Sequence, residues 1–82
     1  MSKLINEVLE QVVMQGENPI EIIDQGKELR VGVILDRWYD TGCWWEGESS
    51  KLFFRLQLEG ERVWEIYQDL ADRCWHIYKI YD

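Results

Sequence analysis

One proline, two cysteines and a single histidine stand among 82 residues, and no apolar run approaches the ~18 residues of a membrane-spanning helix. These absences exclude whole classes of protein. Cys43 and Cys74 are too few for a disulfide scaffold, and a reducing cytosol would keep them as thiols. The opening Met1-Ser2-Lys3-Leu4 lacks the hydrophobic region of a signal peptide, so the expected location is cytoplasmic, with no membrane partner. Cations are also scarce. Nine Lys and Arg against sixteen Asp and Glu give a formal charge of −7, which repels phosphate backbones and makes nucleic acid an unlikely partner. There is no Gly-rich phosphate loop, nucleophile elbow or recognisable Ser/His/Asp set, so no enzymatic activity is expected.

Aromatic residues are plentiful. Five Trp, four Tyr and two Phe each bury about 150 to 250 Å² when packed, which lets a short chain build one core without metal or disulfides. With no linker, repeat or low-complexity segment, residues 1–82 read as a single small β domain.

Lys51 to Glu59 is the clearest strand, with Leu52, Phe54, Leu56 and Leu58 alternating against Phe53, Arg55 and Gln57. Glu59-Gly60 turns into 62–68, and 69–73 turns into 74–81, completing a three-stranded meander. In the last two strands Trp64 and Ile66, then Trp75 and Ile77, share one face; Tyr67, Tyr78 and Ile80 fall on the other. Apolar residues on both faces indicate a sheet curled into a barrel or covered on both sides. Upstream, Leu29, Val31, Val33 and Leu35 form an alternating face, Gly32 marks a bend or bulge, Gln25-Gly26 is a turn, and 19–24 is a strand led by Pro19. The first segment is ambiguous. Leu4, Ile5, Val8, Leu9, Val12 and Val13 recur at helical spacing, with Ser2 as cap and Gly16 as stop, whereas the β-branched content favours a strand. The expected fold is all-β: five or six antiparallel strands in a meander curled into a small SH3-like barrel or roll.

The candidate site is the segment from Trp38 to Glu48. Trp38, Tyr39, Trp44 and Trp45, with the acids Glu46 and Glu48, either plug the core or present a partner-binding surface. With Asp36 and Asp40 beside them, the carboxylates favour a basic peptide over a phosphate backbone. Cys74 and His76 lie two apart on a strand, and with Cys43 they supply three zinc ligands but no fourth, so no metal and no cofactor is expected. Glu65, an acid between aromatics on a central strand, is expected to pair with Arg55 or Lys79. Arg30, Arg37, Arg55, Arg62, Arg73 and Lys79 alternate with acids and read as a mixed-charge surface.

Several stretches together resemble a bacterial family of small all-β domains of unknown function, often encoded beside Y-family translesion DNA polymerases. They are Ile5-Asn6-Glu7, Val33 to Trp38, Thr41-Gly42 followed by Trp44 to Glu48, Phe53-Phe54-Arg55, Glu65-Ile66-Tyr67 with Asp69-Leu70-Ala71, and Tyr78 to Asp82. The resemblance implies a strand for the first segment and a neighbourhood in DNA damage tolerance. This chain departs from the family's aromatic-Arg-Gly-Arg turn at Asp24-Gln25-Gly26-Lys27, and carries Cys43 and Gln68 where the family has arginines. Three basic positions are thus thinned. The expected function is a non-catalytic protein-interaction module, accessory to DNA repair or translesion synthesis through a protein such as a repair polymerase. Single-strand nucleic-acid binding by aromatic stacking is the alternative, and a homodimer stays open.

Overall fold

A computed structural model describes residues 2–40 and 49–81. Seven strands are present among them: β1 (Ser2–Val8), β2 (Gln11–Gln15), β3 (Asn18–Asp24), β4 (Lys27–Asp40), β5 (Lys51–Leu58), β6 (Arg62–Asp69) and β7 (Trp75–Tyr81). All neighbours are antiparallel, in the order β1-β7-β6-β5-β4-β3-β2. The expected all-β meander is observed, but with seven strands rather than five or six. The first segment supplies the extra one, because Leu9 and Glu10 break it into β1 and β2 at opposite edges of the sheet. No helix of the described residues is long and apolar enough to cross a membrane.

Consecutive strands at opposite edges require the sheet to curl, and β4 is where it does so. Its opening stretch, Lys27 to Arg30, pairs β3 and the rest, Val31 to Asp40, pairs β5. The result is a half-barrel whose hollow is filled by Leu9, Val12, Ile22, Leu29, Leu52, Phe54, Leu56, Leu58, Trp64, Ile66 and Ile77. The helical reading of residues 4–13 fails because this hollow takes side chains from an extended β2. Gly16, at φ +63°, opens the two-residue turn into β3 and does not stop a helix. Gln25 and Gly26, at φ 51° and 77°, form the expected turn, both left-handed as a type I′ hairpin demands.

Bulges correct three of the face assignments. Around Gly32 the β4–β5 register jumps from Val31↔Leu58 to Val33↔Gln57, and it jumps again across Leu35. Each extra residue flips the side-chain phase. Val33 and Leu35, expected inside, are therefore 52% and 47% exposed, while Ile34 packs on the core. In β7 the register runs Glu65↔Lys79 and then Ile66↔Ile77, leaving Tyr78 as the extra residue. Ile80, assigned to the outer face with Tyr67 and Tyr78, instead packs against the core.

Candidate functional site

The register assembles the outer face of the sheet into cross-strand rows. Trp38 lies opposite Phe53, Phe53 opposite Tyr67, and Tyr67 opposite His76. These side chains touch. Trp38 stacks on Phe53 at 5.3 Å between centroids and 5° between planes; Phe53 meets Tyr67 at 5.0 Å and the edge of Tyr78 at 5.3 Å; Tyr67 stacks on His76 at 4.8 Å. Such contacts contribute beyond the area they bury. Phe53 and Tyr67 are buried, so this row is a second packed layer more than an open platform. Burial raises the Tyr67 phenol above its ordinary pKa, with the Asp69 charge adding to the effect.

Charged rows flank the aromatic one. Asp36, Arg55, Glu65 and Lys79 run in register across β4 to β7 on one side, and Asp40, Lys51 and Asp69 run on the other. Glu65 is buried at 3% exposure, and its Oε2 accepts from Arg55 Nε at 3.4 Å and from the Tyr81 hydroxyl. That bond to the carboxylate is the main reason the Tyr81 pKa is raised. Of the two partners expected for Glu65, Arg55 makes the contact, while the Lys79 ammonium lies 5.5 Å from the Tyr78 ring centroid.

Tyr39, next to Trp38 in sequence, points to the other side of β4, as strand alternation requires. It is 63% exposed and lines a cleft of about 460 Å³ at the open end of the half-barrel. Met14, Leu52, Leu70 and Trp75 give this cleft an apolar wall, and Arg37 and Arg73 give it cations. Arg37 is placed by Glu17, 3.6 Å from its Nη2, and by the Phe54 ring, 5.6 Å from its guanidinium carbon. Arg73 is placed by its turn. Asp69 Oδ1 accepts from Ser49 Oγ at 2.6 Å and from Ala71 N at 3.0 Å, and Arg73 N donates to the Asp69 carbonyl at 2.8 Å, with Arg73 at φ 65°.

The bond from Ser49, then that from Ala71, holds the Asp69 carboxyl below its ordinary pKa of 3.8. A carboxyl depressed by folding stabilises the fold above its unfolded pKa, and that contribution is lost as pH falls through the lower folded value. Asp69→Asn is therefore expected to flatten the acid limb of stability below about pH 3.8. Urea midpoints of wild type and variant at neutral and acid pH check this; an unchanged acid limb would show that Asp69 does not anchor the turn.

The structure thus divides the sequence-predicted site. Trp38 belongs to the outer aromatic layer and Tyr39 to the cleft, while Trp44, Trp45, Glu46 and Glu48 lie outside the described residues. Sequence reasoning missed the cleft's Arg37, Arg73 and Trp75 as a group. They come from two separated segments, Arg37 from β4 and Arg73 with Trp75 from the end of the β6–β7 turn, and only the sheet register brings these to one end. Cys74 precedes β7 as an exposed thiol whose pKa is raised chiefly by the Asp72 charge, which disfavours the thiolate needed for nucleophilic attack or metal binding. His76 is engaged with Tyr67, and Cys43 lies outside the described residues. Among the described residues no group of three or more His, Cys, Asp or Glu is placed to hold a metal ion. No family model, curated protein or solved structure matches the chain.

Proposed function

We propose that this chain is a non-catalytic protein-interaction module that receives a partner segment in the cleft beside Tyr39. The observation that carries this reading is the composition of the cleft: an exposed Tyr, a Trp, Met14, two leucines and two arginines, with Gly16, Glu17 and Gln68, line about 460 Å³. Tyr, Trp, Met and Arg are the residues enriched where proteins bind one another. Arg73 modifies the expectation of a basic ligand, since Arg37 is already paired with the cleft's own Glu17 and Arg73 is the cation left to favour a carboxylate-bearing side chain set among apolar ones. The SH3-like reading of the curled meander and the accessory role in DNA repair or translesion synthesis belong to the same proposal; the latter rests on resemblance alone.

Single-strand nucleic-acid binding is the weaker reading, because the stacked rings of Phe53 and Tyr67 are already covered and the chain carries a charge of −7. Selection from a random peptide library against the immobilised domain is expected to enrich peptides with acidic and apolar residues. Tyr39→Ala should weaken them at least about tenfold, as truncating an interface aromatic does, while the unfolding midpoint stays put. Oligonucleotides should bind no tighter than about 10⁻⁴ M at physiological salt. Micromolar oligonucleotide binding with a steep salt slope, or peptides indifferent to Tyr39, would overturn the reading.

A further inference from the structure

Among the described residues, the end of the sheet at β2 is unguarded. An edge strand exposes a row of backbone donors and acceptors, and proteins usually blunt it with charge, proline, a bulge or a cover. β1, at the other edge, carries Lys3 and Glu7 and a register shift between Leu4 and Glu7. β2 reads Gln11-Val12-Val13-Met14-Gln15, without charge or proline, and among the described residues no strand pairs its second edge. The register shift in the β2–β3 pair lies on β3, where Ile20 is the extra residue, so β2 itself runs regularly.

We propose that β2 is a self-pairing edge that joins two copies of this chain through antiparallel β2 strands centred on Val13. The backbone phase supports that centre. Gln15 faces Asn18 across the two-residue turn Gly16-Glu17, and in such hairpins this closing pair is the hydrogen-bonded one. Gln15, Val13 and Gln11 then direct their backbone groups to β3, and Val12 and Met14 direct theirs to the free edge. An antiparallel pair centred on Val13 sets Val12 of one copy against Met14 of the second, so the groups facing outward bond one another on both sides of the two-fold axis.

The side chains agree with that register. Gln11 meets Gln15 of the second copy, amide to amide. Val12, buried, and Met14, packed against the core, both lie on the inner face, so each extends the other's apolar surface across the junction. Val13 meets Val13 on the outer face. The five residues form a near-palindrome, so a two-fold junction pairs like with like along its whole length. A chain of charge −7 needs an uncharged edge to approach itself, and β2 is the strand here that supplies a contact without a carboxylate or cation. This junction goes beyond the Tyr39 reading but adjoins that cleft, whose wall includes Met14.

Sedimentation equilibrium of the full chain should show a monomer–dimer equilibrium with a dissociation constant of roughly 10 to 100 µM, as suits one short strand pair. Val13→Lys and Val13→Glu should each be monomeric over the same range, because like charges then face one another at the two-fold. An equimolar mixture of the two should dimerise again. On the wild type, isotope-filtered NOEs between labelled and unlabelled copies should connect Val12 with Met14, which tests the register without any substitution. Wild type that stays monomeric, a dimer untouched by either charge, a mixture that fails to pair, or NOEs absent from β2 would each overturn the proposal; an extended peptide captured by this edge in place of a second copy would do so too.

Discussion

Phe54→Ala is expected to cost about 3 to 5 kcal/mol of folding stability, the range for truncating a buried phenylalanine, and to bring a chain of this size close to unfolding. Phe54 is fully buried at the middle of the sheet, against Ile66 across β6 and with the Trp75 ring 5.8 Å away. Its ring also lies under the Arg37 guanidinium. Truncation therefore opens a void in the hollow and loosens two residues of the cleft. A small domain has little surrounding core with which to close such a void. Urea unfolding reads the result. A midpoint within error of wild type would mean that the inner face of β5 is wrongly assigned.

Arg55→Ala is expected to be the second most damaging change, at about 2 to 3 kcal/mol, because it leaves the buried Glu65 carboxylate with the Tyr81 hydroxyl in place of a cation. The Arg55 side chain is itself 41% exposed, which keeps the loss below that of a fully buried pair. Its guanidinium also lies within 6 Å of the Trp38 and Tyr81 rings, 5.8 and 5.9 Å from their centroids, so part of the loss is packing. The double variant Arg55→Met with Glu65→Leu separates these contributions. If uncompensated charge dominates, the double variant recovers most of the stability lost by Arg55→Ala; if it is as unstable as the single one, packing dominates instead.

Where one face of a strand is dry and its phase unbroken, the residues of this chain can be read directly. Leu52, Phe54, Leu56 and Leu58 keep period two from end to end of β5, and all four are in the core. The Gln25-Gly26 turn is equally legible, since its backbone needs the left-handed region and glycine supplies half of it. Bulges are what pattern reading does not locate. Gly32 signals a bulge, yet nothing in Val33-Ile34-Leu35 says which of the three turns inward, and Tyr78 resembles any other aromatic at its position. One extra residue at each place reverses every assignment that follows it.

The candidate site was legible only in part for a related reason. Aromatic character and adjacency group Trp38 with Tyr39 in the sequence, but adjacency within a strand places them on opposite faces. Strand parity alone separates them. Arg73 is different, because its place at the cleft depends on a turn held by Ser49, Asp69 and Ala71, contacts between segments that no local pattern contains.

The measurement that tests the account most directly is an amide and side-chain NMR titration of the intact chain with a library-selected peptide. Binding in the cleft predicts shifts concentrated on Tyr39, Leu70, Arg73 and Trp75, with Asp36, Arg55 and Lys79 on the outer face unchanged. Shifts confined to the outer face, or a saturating peptide that leaves Tyr39 and Trp75 unmoved, would contradict it.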